Sequence, residues 1–131
     1  MANIDRTESK ALLDASLTST AYTEPSAWYV ALIASSFTLT DTTPYGATAN
    51  EVTAGSGRAA IAFPAATAGA PSTTTAPAVT FTTMPVATTG GIEIYTASTG
   101  TARRLWYGNL SANKTTASGD TLTVTVTATL S

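Results

Sequence analysis

The sequence predicts a mainly β protein, an antiparallel β-sandwich or jelly-roll-like fold with one short N-terminal helix. Two observations predict the β fold. The last stretch of the chain alternates threonine and apolar residues from Thr121 to Leu130, and several short β-branched or aromatic runs precede it, separated by turn residues. Helical spacing of apolar residues is found near the N-terminus. At 131 residues, we expect one domain spanning residues 1–131.

The final strand is predicted from strict alternation. Side chains of a strand point to opposite faces in turn, so the apolar residues from Leu122 to Leu130 should face the core. The five intervening threonines should then face outward. A helix would scatter these residues around its circumference, and β-branched Val and Thr lose rotamer freedom there.

The helix is predicted over residues 5–17. Asp5 and Glu8 have the spacing of a capping box, in which an N-cap side chain and a Glu three residues later satisfy exposed backbone N–H groups. The apolar stripe of the helix consists of Leu12, Leu13 and Leu17 with Ala11 and Ala15. So short a helix is marginal in water, so it should pack over one end of the sheet or help to bind a neighbouring subunit.

Short apolar stretches predict the remaining strands. The stretch 27–34 is apolar on both faces and indicates a central strand. The other predicted strands cover residues 58–63, 79–82, 92–95 and 104–110, the last two forming a hairpin. Turns are expected at 44–46 and at the Gly55/Gly57 bend. The predicted core contains Trp28, Leu32, Ile61, Phe81, Ile94, Leu105, Leu122, Val124 and Val126.

Residues 64–77 form a low-complexity segment rich in Pro, Ala and Thr. Without a large apolar side chain it cannot offset its own ordering entropy. Its length of fourteen residues is unusual for a loop in a compact domain. It is therefore predicted to be a flexible surface loop or an arm that becomes ordered against a partner.

Composition argues against several functions. The sequence has no His and no Cys, so it cannot build a Ser-His-Asp triad, a Cys nucleophile or a His-based zinc site. We therefore predict no enzyme activity, no cofactor and no metal. With a net charge of −2 and 11% charged residues, the chain has no basic footprint for nucleic acid or an anionic membrane.

Three arginines are candidate interface residues. Arg58 follows a glycine bend and is expected at a strand entry, because the Lys and Ser/Thr of a phosphate-binding loop are missing around it. Arg103 and Arg104 form a basic pair beside a turn, which is typical of a solvated hairpin end.

With these residues in view, the chain resembles a group of small tailed-phage virion proteins, often labelled tail fibre or minor structural proteins. The resemblance covers most of the chain in order. Its parts are Leu12-Leu13, Trp28 to Leu32, Glu51-Val52 before the Gly55/Gly57 bend, Ala78 to Phe81, Ile92 to Tyr95, Leu105 to Leu110, and Lys114 to Leu122. One departure is that Arg58-Ala59-Ala60 stands where the family tends to have Tyr-Ala-Arg.

The resemblance implies a structural role in a virion, after synthesis in the bacterial host cytoplasm. A decoration protein would bind and stabilise the shell of major capsid protein. A tail-fibre or tail-tip subunit would contact the host. The short chain, ending with its last strand, favours decoration. A third hypothesis is a carbohydrate-binding sandwich with Trp28, Tyr45, Trp106 or Tyr107 as a sugar platform.

We also expect a homo-oligomer, most simply a trimer. The predicted interface is the uncharged face of Thr123, Thr125 and Thr127, which sheds water more easily than a charged face and can hydrogen-bond a neighbour. The basic residues Arg58, Arg103 and Arg104 are further candidates for this interface.

Overall fold

A computed structural model describes residues 3–42, 50–69, 72–100 and 103–130. It shows a mainly β protein with antiparallel sheets and one short N-terminal helix, which confirms the predicted fold class. The elements are β1 Asn3–Ile4, α1 Arg6–Leu17, β2 Tyr29–Ala34, β3 Glu51–Val52, β4 Ala59–Ala60, β5 Ser72–Thr75, β6 Val79–Phe81, β7 Ala87–Tyr95, β8 Arg104–Thr116, β9 Leu122–Val124 and β10 Thr127–Leu130.

The main sheet has the order β1-β8-β7-β2-β3, with β4 also pairing with β2. The apolar strand predicted at 27–34 is its interior strand β2, and Val30 to Ile33 are at most 1% exposed. β7 and β8 form the predicted hairpin, with the turn end where it was expected and both strands longer at the open end. The predicted strand 58–63 is reduced to the two residues of β4. The turn expected at 44–46 lies outside the described residues.

Two glycines allow close packing in the middle of β7. A Cβ atom on Gly90 would lie 2.6 Å from the Cα of Ser35, and one on Gly91 would lie 2.5 Å from the Cδ1 of Leu39. The pairing register also shifts here, so that residues 110–113 of β8 stand opposite Gly90 alone. Residues 110–113 are therefore displaced from β7 as a large bulge, and pairing with β7 resumes at Lys114.

The second layer is an antiparallel ribbon formed by residues 72–81 and 122–130. β6 pairs with β9 and β5 pairs with β10, with an irregularity between the two pairs. The single strand predicted from Thr121 to Leu130 is thus two short strands, although its alternation holds: Leu122, Val124, Val126 and Ala128 are buried. The exception is Leu130, which is 57% exposed because it lies at the end of the ribbon.

The core lies between the ribbon and one face of the main sheet. Of the nine predicted core residues, eight are buried, and Trp28 is instead 37% exposed. The core side chains are Val30, Leu32, Val52, Ala54, Ile61, Ala76, Phe81, Met84, Ile92, Ile94, Leu105, Leu122, Val124 and Val126.

The helix docks through charged residues rather than through leucines. The Asp5 carboxylate accepts from the Thr7 backbone N–H and caps the helix, but Glu8 does not complete a capping box. Glu8 is instead the one buried residue of α1. Leu12, Leu13 and Leu17 are 37%, 57% and 76% exposed, so the expectation that this stripe packs over the sheet is wrong.

Part of the low-complexity segment belongs to the folded ribbon. Residues 72–75 form β5 and Ala76 is buried, so this part is not a flexible loop. Residues 64–69 are mostly exposed and lack a named strand, with a single bridge between Thr67 and Thr73. In the described part of the chain, no helix is long and apolar enough to cross a membrane.

Candidate assembly site

The threonine face is exposed as predicted. Thr121, Thr123, Thr125 and Thr127 all lie on the solvent side of the ribbon. The hydroxyl oxygens of Thr127 and Thr75 are 2.9 Å apart, and those of Thr123 and Thr80 are 3.3 Å apart. These cross-strand pairs hold the hydroxyls in an ordered row. The result is a flat, uncharged surface that can both donate and accept hydrogen bonds.

One edge of the ribbon is open. β9 and β10 pair on one side with β6 and β5, and among the described residues no strand pairs with their other side. An unpaired edge presents a row of backbone N–H and C=O groups that can pair with another strand. The edge formed by residues 122–127 is called the ribbon edge below.

A groove of about 330 Å³ runs between the ribbon edge and the outer half of β8. It is lined by the buried residues Ile92 and Gly108, and by Leu110 from β8. The one charged residue that lines the groove is Lys114. The groove exists because the second layer is narrower than the sheet beneath it and because residues 110–113 are displaced from β7.

Arg58 is buried inside the subunit and not at its surface. Its guanidinium donates to both oxygens of the Glu51 carboxylate at 2.8–2.9 Å and lies 4.3 Å from the centre of the Tyr95 ring. It also donates to the carbonyls of Ala97 and Gly100. The hydrogen bonds that Arg58 donates to Glu51 outweigh burial and raise the pKa of Arg58. This arginine stabilises the turn after β7, and its guanidinium does not face outward.

Arg104 is also buried, which corrects the expectation of a solvated hairpin end. It donates to Glu93 at 2.6 Å, to Asp5 at 2.8 Å and to the carbonyl of Thr40 at 2.7 Å. Burial lowers the pKa of Arg104, but the hydrogen bonds to Glu93 and Asp5 outweigh it, so the pKa is raised. Glu93 additionally accepts from the Tyr95 hydroxyl at 2.6 Å.

Arg103 is partly exposed and ties the hairpin to the helix. It donates to the Glu8 carboxylate at 2.7 Å and to the carbonyl of Thr23 at 2.9 Å. Tyr22 donates to the other oxygen of Glu8. Burial first, and then this hydrogen bond, raise the pKa of Tyr22 to about 12. Six residues were predicted from the sequence as interface candidates. The three threonines share one exposed surface, whereas the three arginines stabilise the opposite face of the main sheet.

An aromatic pocket of about 230 Å³ opens at another place between the two layers. It is lined by Trp28, Phe63, Thr74, Ile94, Trp106 and Ala128. Trp28 and Trp106 therefore share a pocket, but Tyr107 points to the opposite face, against Arg104. The Thr74 hydroxyl donates to the carbonyl of Pro64. Tyr45 lies outside the described residues.

The buried ion pairs and the ribbon edge were not predicted from the sequence. A signal for the first was present, since Glu93 lies inside an otherwise buried strand and a buried carboxylate needs a partner. The open ribbon edge had no such signal, because the order of strands in a sheet does not follow from local sequence patterns. The described residues contain no cluster of acidic side chains arranged to hold a metal ion.

Comparison with known families gives one match across nearly the whole chain. The model of the Gp80 family, described as podophage GP4 fiber I protein gp80, matches residues 3–130. A search of curated proteins found no match.

Proposed function

Because the chain belongs to the Gp80 family of podophage fiber proteins, we propose that it is a non-enzymatic subunit of a virion fibre. It is made in the bacterial host cytoplasm and assembles with further copies and with other virion proteins. A fibre subunit functions by binding neighbouring subunits. It therefore needs surfaces whose desolvation costs little free energy. The homo-oligomer expected from the sequence remains a prediction.

The observation that carries this proposal is the ordered, uncharged threonine face. Thr123 and Thr127 are held in hydroxyl pairs, and Thr125 lies between them at the irregularity of the ribbon. Centres of protein interfaces are depleted in charged residues relative to ordinary surface. Repetition of a modest contact around a symmetry axis then gives high avidity.

The test places charge on this face. In the double variant Thr123→Lys and Thr125→Lys, we expect a melting temperature within about 2 °C of wild type, because both residues are exposed. Incorporation into particles, measured in competition with wild-type subunits, should fall at least tenfold. Thr53→Lys combined with Ala62→Lys adds the same charge at two other exposed sites and is the control.

Equal incorporation of the threonine double variant and wild type would overturn this role of the face. The exposed stripe of Leu12, Leu13 and Leu17 is the competing assembly surface. Replacing Leu13 and Leu17 with Ser would then reduce incorporation instead.

A capsid decoration protein is the alternative placement within the virion. The family description favours the fibre. Imaging of the particle with a labelled subunit distinguishes the two, since decoration predicts label across the shell bound to major capsid protein.

A glycan-binding role is a second candidate function because Trp28 and Trp106 line one pocket. Aromatic faces can stack on the apolar face of a sugar ring, but a sugar site also needs polar groups to orient its hydroxyls. Here Thr74 lines the pocket with its hydroxyl already donating to Pro64. Tryptophan fluorescence during titration with host surface saccharides tests this role, and Trp28→Ala should abolish any response.

A further inference from the structure

The ribbon edge is a surface through which two copies of this chain could bind each other. The starting observation is that the second layer has two strands over a wider main sheet, with a groove where a third strand would lie. A two-stranded ribbon is only marginally stable by itself. A strand added at the ribbon edge would widen the layer and cover the groove.

Backbone directions along the ribbon edge follow from two hydrogen bonds. The carbonyls of Asp120 and Val126 accept from Met84 and Ala76, on the paired side of the ribbon. Backbone groups of an extended chain point alternately to the two sides, so those of the odd-numbered residues point to the open side. Short hydroxyl contacts at Thr123 and Thr127 agree with this, because side chains are closer in pairs that are not hydrogen-bonded.

We propose that the ribbon edge pairs with the same edge of a second copy, antiparallel and about a twofold axis at Thr125. In this register Thr125 lies opposite its own copy, and Thr123 lies opposite Thr127 of the second copy. Every residue whose backbone points to the open side then takes part in a hydrogen-bonded pair. The two ribbons become one four-stranded layer shared by both copies.

The sequence fits this register because its alternation is symmetric about Thr125. Residues opposite each other in an antiparallel pair lie on the same face, so threonine meets threonine and Val124 meets Val126. The apolar side chains of the added strand face the main sheet. They would cover Ile92 and Leu110, which line the groove.

A second copy is the occupant that this surface favours. Apart from Lys114 the groove is lined by uncharged side chains, which suits a strand without charged residues, and residues 121–130 of the chain are such a strand. The other edge of the ribbon is partly covered, since Gly55 and Ser56 bond to residues 82–83 and Thr67 bonds to Thr73. A ring needs two different contact surfaces, whereas a twofold pair needs the ribbon edge alone.

Cysteine cross-linking tests the register directly, because the natural sequence contains no cysteine. Across a hydrogen-bonded pair the two Cα atoms are about 5.5 Å apart, within disulfide range. Thr125→Cys should therefore form a covalent dimer on mild oxidation, in more than half of the purified protein. Thr80→Cys is the control, since its two copies would lie three strand spacings apart, about 14 Å.

Proline at position 125 tests the backbone pairing. Thr125→Pro removes an N–H on the open side, whereas Thr125→Ala removes only the side chain. For the wild type and Thr125→Ala, we expect a dimer mass in sedimentation or light scattering. The dimer dissociation constant of Thr125→Pro should rise about tenfold to hundredfold, as expected from losing two hydrogen bonds per dimer.

A monomer or a trimer mass for the wild type, or equal cross-linking at positions 80 and 125, would overturn the proposal. If Thr125→Pro fails to fold, the cross-linking experiment still decides. These outcomes are independent of particle incorporation, so the twofold pair can fail while the fibre role stands.

Discussion

At the scale of single residues, the buried charges of this protein are concentrated on one face of the main sheet. Glu93 is 0% exposed and Arg104 is 4% exposed, and Asp5 joins them. Removing one partner of a buried ion pair leaves the other charge without compensation, which costs far more than losing an exposed pair. These contacts therefore fix the docking of the N-terminal segment onto β8.

We expect Glu93→Ala to lower the free energy of unfolding by about 3–5 kcal/mol, because Arg104 would then keep a single carboxylate partner. Urea denaturation followed by tryptophan fluorescence measures the change. The exposed pair of Arg6 and Asp41 provides the control, and Asp41→Ala should cost less than about 1 kcal/mol. Similar costs for the two variants would show that the buried pair is not a dominant contact.

The hydrogen bond between Tyr22 and Glu8 predicts a loss of stability at alkaline pH. The pKa of Tyr22 is raised from 10.0 to about 12 in the folded state. A group that holds its proton more tightly when folded stabilises the protein fully below its unfolded pKa. Its contribution is therefore complete below pH 10 and is lost between pH 10 and about 12.

The variant Tyr22→Phe should remove this contribution at every pH. Below pH 10 it should unfold at a lower urea concentration than the wild type, and the difference should shrink as the pH rises toward 12. Unfolding curves at pH 8, 10, 11 and 12 measure the convergence. A difference that stays constant over this range would contradict the assignment to Tyr22.

At the scale of elements, the final strand was predictable because the type of each residue, apolar or threonine, indicates the face on which its side chain lies. Buried and exposed residues alternate from Thr121 to Ala128, although the chain forms two strands there. Neither the irregularity between β9 and β10 nor their pairing with β6 and β5 is encoded in the local pattern. Both depend on contacts with residues 41 to 58 positions away.

Neighbouring positions on this element should respond in opposite ways to the same substitution. Val124→Asp would bury an unpaired charge and should prevent folding, since Val124 is 6% exposed. Thr123→Asp carries the same charge on the exposed face and should leave the melting temperature nearly unchanged. Circular dichroism melts of both variants measure this, and a folded Val124→Asp protein would show that the assigned core face is wrong.

The helix illustrates why the rest could not be predicted. Its bounds follow from the Asp5 cap and the helical spacing, and they are confirmed as Arg6–Leu17. The face that it buries was predicted wrongly, because an apolar stripe indicates a buried face only when the sheet offers an apolar surface. Here the helix binds through the ion pair between Glu8 and Arg103 instead, so the leucines remain exposed.

At the scale of the whole molecule, residues 64–69 lie on the outside and differ from the rest of the chain in composition. They lack Lys and Arg, so trypsin cannot cut them, and a broad-specificity protease such as proteinase K is the appropriate probe. In the free subunit, we expect cleavage to begin between residues 64 and 69, because exposed loop segments are the preferred sites of nicking.

Assembly should protect this segment if it is an arm used against a partner. Cleavage in the intact particle should then be at least tenfold slower than in the free subunit, as judged by intact mass over time. Cleavage at equal rates in both states would leave the segment as an ordinary surface loop.

The ion pairs between the N-terminal segment and β8 also have a consequence for synthesis. Asp5 bonds to Arg104 and Glu8 to Arg103, partners 99 and 95 positions apart in the chain. The helix therefore cannot dock until more than three quarters of the chain has left the ribosome. Long-range contacts of this kind make folding slow, so the N-terminal segment must stay undocked while most of the chain is synthesised.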